Sequence, residues 1–234
     1  MNAMKLSIIV PVYNEERTVL AILKNIEAVS LPHNITKEII VIDDGSTDTT
    51  KEKLKELTNP SIKIFSHPNN QGKTAAVKLG IEKSTGDIIL IQDADLEYSP
   101  TSYPELLEPI LNNKASVVYG SRFQGNIENM ELINRLANRI SNITVNFLYH
   151  TRLTDIHTCF KVFKKEVIKN IKIESRHFSF DAEITAKLLN KGYNIIEVPI
   201  PYTARSRKSG KKINWFTATE GYFVLLKCRL FRKC

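Results

Sequence analysis

Ile88-Ile89-Leu90-Ile91-Gln92-Asp93-Ala94-Asp95-Leu96-Glu97 is an apolar run that ends in carboxylates at alternate positions. Such a run, without polar residues on alternate positions, suits a strand buried on both faces, as in a parallel sheet. If the backbone stays extended, Asp93, Asp95 and Glu97 project to one side, with alternate Cα atoms about 6.5–7 Å apart. Carboxylates that converge in this way repel one another unless a cation lies among them. Mg²⁺ or Mn²⁺ is the natural choice, because hard oxygen ligands suit hard cations and a diphosphate supplies further ligands. Taken alone, an Asp-x-Asp after a strand reads more readily as a solvated acidic turn.

The units preceding this run repeat its plan. Leu6-Ser7-Ile8-Ile9-Val10-Pro11-Val12 reads as a buried strand. Asn14 then suits a helix cap with Glu15 and Glu16 in the first turn, and Val19, Ile22, Leu23 and Ile26 form one apolar helical face. Glu38 to Ile42 reads as a strand, Asp43-Asp44-Gly45-Ser46 as a turn and Asp48 to Leu57 as a helix. Ile62 to Phe65, Lys73 to Lys83 and Asp87 to Ile91 supply a strand, a helix and a strand. This alternation predicts an α/β fold with a mostly parallel sheet flanked by helices. Beyond Tyr119, Met130 to Tyr149 and Asp181 to Lys191 read as helices, and Cys159 to Phe163 and Ile195 to Pro199 as short strands.

Ligands of such sheets gather at the carboxyl ends of the strands, where Pro11-Val12-Tyr13-Asn14-Glu15 and Asp43-Asp44-Gly45-Ser46 both lie. Ionised carboxylates there can accept from ribose hydroxyls or a base edge, and Gly45 relieves the tight turn. Separately, each segment is also explained as turn or cap chemistry. Three such segments in order, each at a strand end, are hard to ascribe to chance.

The same acidic turns and the segments beyond them resemble family 2 glycosyltransferases of the GT-A fold. The closest branch contains polyprenyl-phosphate sugar synthases such as dolichyl-phosphate mannose synthase. The likeness continues through Val118-Tyr119-Gly120-Ser121-Arg122-Phe123 and Thr154-Asp155-Ile156-His157-Thr158-Cys159-Phe160-Lys161. It extends to Phe178-Ser179-Phe180-Asp181-Ala182-Glu183 and Gly210-Lys211-Lys212-Ile213. The resemblance implies that Pro11, Tyr13, Glu15 and Asp44 hold the nucleoside of a GDP- or UDP-hexose, with Gln71, Gly72 and Lys73 beside the donor. It implies that Asp93, Ala94 and Asp95 bind the metal and diphosphate. Glu97 stands where the mannose synthases often carry Gln, which would add a metal ligand. Arg122 is implied near the donor sugar and acceptor phosphate.

With 234 residues, 42% of them hydrophobic, the chain suits one globular domain. Residues 1–204 are expected to form the glycosyltransferase body, and 205–234 a basic loop and amphipathic helix of the same domain. The cysteines, Cys159, Cys228 and Cys234, have no metal-ligand spacing and suit a reducing, cytoplasmic setting. No signal peptide or membrane-spanning run is read. The net charge of +8 lies wholly after Ala204, where nine basic residues meet one acidic one (9 − 1 = +8). Arg205, Arg207, Lys208, Lys211 and Lys212 suit a loop over the donor diphosphate. Trp215, Thr219, Tyr222, Phe223, Leu226 and Leu230 recur at helical spacing beside Lys227, Arg229, Arg232 and Lys233. That segment is either a core-packed helix or one lying peripherally on an anionic membrane.

The expected reaction is inverting hexosyl transfer to a polyprenyl phosphate, with no nucleic-acid partner. A saccharide hydroxyl is the alternative acceptor, and it alone requires a general base, for which Asp155, Asp181 and Glu183 are candidates. A nucleotidyltransferase would want a Gly-rich phosphate loop near the N-terminus, which is missing. A pure binding module would leave the ordered acidic turns without purpose.

Overall fold

The computed structural model describes residues 4–175, 179–205 and 223–230. The first half alternates β1 (Lys5–Val12), α1 (Val19–Ala28), β2 (Thr36–Asp43), α2 (Thr50–Lys55), β3 (Ile62–Ser66), α3 (Lys73–Lys83) and β4 (Ile88–Ile91). The second adds α4 (Tyr103–Leu111), β5 (Val117–Ser121), β6 (Ile127–Glu128), α5 (Leu132–Tyr149), β7 (Lys161–Lys164) and α6 (Lys165–Lys169). It continues with α7 (Phe180–Asn190), β8 (Ile195–Pro199) and β9 (Tyr202–Thr203).

Seven strands form one sheet in the order β3-β2-β1-β4-β7-β5-β8, and β6 pairs with β9 separately. β1 lies parallel to β2 and β4, β2 to β3, and β5 to β8. β7 alone is reversed, running antiparallel to both β4 and β5. Every residue of β4 and β5 is buried, as expected of strands covered on both faces. The chain passes from β1 outward to β2 and β3, then returns to place β4 on the other side of β1. That reversal of direction opens a crevice at the carboxyl ends of β1 and β4, the usual ligand position in such sheets.

Two sequence expectations change at the first strand end. Asn14 has φ 53°, a left-handed conformation, and is not a cap. Helix α1 begins only at Val19, after Thr18, with no acidic residue in its first turn. Asn14 instead ties two loops together: its amide donates to Ser46 Oγ (3.0 Å) and its Oδ1 accepts from the Thr47 amide (2.8 Å). The amide of Glu15 donates to Thr50 Oγ1 at 2.9 Å. Short polar side chains found better partners in the neighbouring segment after β2 than in their own helix. The predicted apolar face of α1, Val19, Ile22, Leu23 and Ile26, is buried as read.

At the opposite end of the sheet, buried Glu38 accepts from Ser7 Oγ (2.6 Å), Lys63 Nζ (2.9 Å) and the Thr85 amide (2.7 Å). Burial pushes its pKa up, but these donors outweigh burial and hold the carboxyl well below its usual range. Its folded pKa is depressed, so its stabilisation is present above the ordinary value of 4.5 and fades as pH falls below it. Glu38→Gln should cost about 2 kcal/mol in urea unfolding at pH 7. The gap to the parent should close progressively as the titration is repeated below pH 4.5. A gap independent of pH would remove the charge from the explanation.

Candidate active site

A cavity of about 810 Å³ opens over the crevice. Pro11, Tyr13 and Glu15 enter it from the end of β1, Asp44 from β2, and Gly72 and Lys73 from the start of α3. Asp93, Ala94, Asp95 and Glu97 follow β4, while Arg122, Asp181 and Arg205 come from the later half of the chain. Most of the residues singled out in the sequence therefore line one cavity. Gln71, Asp155 and Glu183 do not line it, and Lys211 lies outside the described residues, as do the rest of the basic loop, Arg232 and Lys233.

Asp44 both faces the cavity and organises it. Its Oδ1 accepts from the Gln71 amide (3.1 Å) and lies 2.7 Å from His67 Nδ1, and its Oδ2 accepts from the Gly72 amide (2.7 Å). Gln71 contributes through this backbone bond, not as a wall side chain. The neighbouring Gly45 has φ +72°, and a Cβ there would lie 2.5 Å from the Asn69 carbonyl carbon. Gly45→Ala should destabilise by about 2 kcal/mol or more, since both backbone strain and a backbone clash oppose it. Urea titration measures this, and a neutral result would mean the two loops shift apart freely.

The acidic cluster departs from the simple alternating picture. The chain does not stay extended after Ile91; Leu96 is left-handed at φ 64°, and Asp95 Oδ1 accepts from the Glu97 amide at 3.1 Å. This short-range carboxylate bond is typical turn chemistry. It swings Glu97 toward β9, where Glu97 accepts from the Tyr202 hydroxyl (2.5 Å) and the Arg205 amide (2.8 Å). Asp93 pairs with Lys73 Nζ at 2.6 Å, and Asp95 with Arg205 at 3.0 Å. The same guanidinium reaches Glu15 at 3.1 Å. The three carboxylates expected to hold a metal are here paired with cationic side chains, Asp93 with Lys73 and Asp95 and Glu97 with Arg205. Glu97 is committed to Tyr202 and Arg205, and among the described residues no group of three acidic, His or Cys side chains is placed to hold an ion.

Asp93 and Asp95 nevertheless fit a divalent cation shared with a diphosphate. Burial first, then the charges of Asp93 and Glu97, push the Asp95 carboxyl up to about 7 despite Arg205 beside it. Its ionised form is short of positive charge. The Arg205 Nε is buried without a hydrogen-bond partner, so the guanidinium fills the cluster incompletely.

Across the cavity, Arg122 is clamped by Asp155. Arg122 Nε donates to Oδ2 and an Nη to Oδ1, each at 2.7 Å, and the Arg122 amide donates to Oδ2 at 2.9 Å. The guanidinium also lies 5.1 Å from the Tyr202 ring. Asp155, a general-base candidate in the sequence, is wholly buried with both oxygens engaged by Arg122. Glu183 is engaged likewise. Its oxygens meet Lys187 Nζ (2.6 Å) and the amides of Glu174 and Ser175 (2.7 and 2.8 Å), away from the cavity. Asp181 does face the cavity but bonds the fully buried Lys161 Nζ at 2.5 Å. Burial would raise its pKa, yet Lys161, Lys73 and His157 together hold it below the ordinary value. His157, also on the wall, has its pKa lowered chiefly by burial.

Sequence reasoning missed Tyr98, Tyr202 and a polar stripe on α5, Asn134, Asn138 and Ser141, all facing the cavity. The stripe was detectable, since spacings of four and three on an amphipathic helix place those residues on one face. The tyrosines carried no local signal.

Residues 7–172 match glycosyl transferase family 2. The chain belongs to that family. As a family 2 chain it is 30% identical over 214 residues to a dolichol-phosphate mannosyltransferase of Pyrococcus furiosus, covering 89% of this chain and 59% of that protein. A dodecaprenyl-phosphate galacturonate synthase of Rhizobium johnstonii is 26% identical over 74% of this chain and 52% of its own length. The chain thus spans less than two thirds of either relative. The Mycobacterium tuberculosis glucosyl-3-phosphoglycerate synthase, in a crystal structure with Mn²⁺, UDP and glucosyl-3-phosphoglycerate, superposes with a TM-score of 0.74 at 16% identity. That match covers 97% of this chain and 80% of that one. The family 2 chain therefore has the GT-A architecture predicted for it. No helix among the described residues is long and apolar enough to cross a membrane.

Proposed function

We propose that this family 2 chain transfers a hexose from UDP- or GDP-hexose to a polyprenyl phosphate, with inversion at the anomeric carbon. Residues 1–204 form the catalytic body in this reading, and 205–234 extend it toward the donor and an anionic membrane surface. Pro11, Tyr13, Glu15 and Asp44 hold the nucleoside. Asp93 and Asp95 would hold Mg²⁺ or Mn²⁺, which supplies Lewis acidity to the departing diphosphate. Lys73 and Arg205 add fixed positive charge on the same side, and the desolvated wall strengthens their effect. Arg122, held rigid by Asp155, orients the acceptor phosphate with a planar fork suited to phosphate oxygens.

The observation that carries the choice of acceptor is the state of the carboxylates. Each candidate base is already ion-paired: Asp155 to Arg122, Asp181 to Lys161 and Glu183 to Lys187. A sugar hydroxyl would have to surrender its proton in the reaction, whereas a phosphate monoester oxygen is already ionised near neutral pH. The relatives named for lipid-phosphate sugar transfer support the same choice.

Incubation with labelled nucleotide-hexose, Mn²⁺ and a short polyprenyl phosphate should move label into the organic phase. Label on an added saccharide, with none in the lipid fraction, would reverse the assignment. UDP or GDP with Mn²⁺ should also raise the melting temperature more than either component alone, since ligand binding stabilises by mass action.

A further inference from the structure

Strand β9 and the two residues after it, 202–205, are bonded to both halves of the cavity, and their backbone amides alternate between the two. Tyr202 and Ala204 donate to the carbonyls of Asn126 (2.9 Å) and Glu128 (3.0 Å), in the segment that leaves the Arg122 turn. Thr203 and Arg205 donate to Glu97, the first to its carbonyl (3.3 Å) and the second to its Oε1 (2.8 Å). Successive residues of an extended chain point to opposite sides. One short segment is thus laced to the carboxylate cluster along one edge and to the arginine turn along the other. The arginine edge is seated at backbone distance. In the turn after Arg122, a Cβ at Gly125 would collide with the Ile200 carbonyl, so only glycine admits this approach.

The Tyr202 side chain repeats the double attachment. Its hydroxyl donates to Glu97 Oε2 at 2.5 Å, the length of a charge-assisted bond to a carboxylate. The face of its ring lies 5.1 Å from the Arg122 guanidinium, and the Tyr98 ring packs 5.0 Å away. Tyr202 is 5% exposed, so water does not compete for either contact and each is stronger for it. A single side chain therefore holds the carboxylate cluster by its tip and the arginine by its ring.

We propose that residues 202–205 are a strut that sets the register between Arg122 and the carboxylates after β4, with Tyr202 as its positioning side chain. Tyr202 acts through Glu97 and Arg122, not on the reacting atoms. Its effect on rate rests on the function proposed above, in which Asp93 and Asp95 hold the donor's cation and Arg122 the acceptor phosphate. In-line attack needs the acceptor oxygen about 3–3.5 Å from the anomeric carbon, and a misplacement of about 1 Å can cost about a hundredfold. Each half-site is held by its own ion pair, Arg122 by Asp155 and Asp93 by Lys73. Neither pair fixes the distance between the halves, and the strut does.

Tyr202→Phe keeps the ring against Arg122 and removes only the bond to Glu97. With labelled nucleotide-hexose, Mn²⁺ and a short polyprenyl phosphate, its kcat should fall about tenfold or more, as expected for one hydrogen bond to a charged group. KM for donor and for acceptor should each stay within about twofold of the parent, because the interaction lost serves the transition state and not binding. The melting shift with UDP or GDP and Mn²⁺ should be retained. Tyr202→Leu gives up the ring as well, and should lower kcat further and raise the acceptor KM. A Phe variant with kcat unchanged, or with only one KM raised, would assign Tyr202 to one half-site and overturn the strut. A second measurement needs no acceptor. The Arg122 Nε–H resonance, identified by its loss in Arg122→Lys, should move when Mg²⁺ and UDP or GDP are added to the parent and stay in place in Tyr202→Phe. A resonance that moves equally in both, or in neither, would overturn the proposal. If the parent forms no lipid-linked product but its Arg122 resonance responds through Tyr202, the strut stands and the acceptor assignment fails.

Discussion

Asp95→Asn should reduce sugar transfer by about a hundredfold or more while leaving the unliganded protein melting no lower than the parent. The two outcomes have one cause. The Asp95 carboxyl is held where its charge is disfavoured, by burial and by Asp93 and Glu97, so that it titrates near 7 in place of 3.8. Its charge therefore opposes folding at neutral pH, and a neutral isostere relieves the opposition. Arg205 keeps Glu15 and Glu97 as partners after the change. In the proposed function the reaction needs the charge that folding resists, because a divalent cation and diphosphate would find at Asp95 a site short of positive charge. Paired measurements of initial rate and thermal midpoint check this. A variant with lost activity and a clearly lowered midpoint would mean that Asp95 is a structural carboxylate.

Arg122→Ala should have the largest effect on the fold, about 3–5 kcal/mol in urea unfolding. Asp155 is fully buried and receives three of its hydrogen bonds from Arg122. Truncation leaves the backbone amide as the only one of those donors, with a charge enclosed in protein and uncompensated. Removing charge from both partners, as Arg122→Met with Asp155→Asn, should recover much of the stability and none of the activity. That separation distinguishes the structural cost of the pair from the phosphate-orienting role of the guanidinium. If Arg122→Ala cost less than about 1 kcal/mol, water would have to reach Asp155, and the clamp described here would not exist.

The part of the cavity wall built from strand ends is legible in sequence because strand ends are local. Pro11 to Glu15, Asp44 and Asp93 to Glu97 each follow an apolar run, and the rule that ligands gather at carboxyl ends does the rest. The errors came from pairings between distant segments. Glu97 could not be seen to turn toward Tyr202, which lies 105 positions away. Asp155 and Glu183 looked like free carboxylates because Arg122 and Lys187 were not known to hold them. Asn14 resembled a cap because its partners Ser46 and Thr47 sit in the loop after β2, more than thirty positions away. Chemistry could be placed from neighbours in the chain, whereas the ionic partner of each group depended on the tertiary fold.

The reversed strand β7 also orders events during synthesis. β5 has only β7 and β8 as ladder partners, and both lie after it in the chain. The start of β7 at Lys161 lies 40 positions after the end of β5 at Ser121 (161 − 121 = 40). At ordinary elongation rates that is about 2–8 s during which a strand that is fully buried in the folded protein has nothing to pair with. The first four strands can assemble meanwhile, with β4 presenting an open edge to the growing chain. Chaperones that shield such edges should therefore engage nascent chains once β5 has emerged from the ribosome, and release them when the reversed strand has followed and closes the gap.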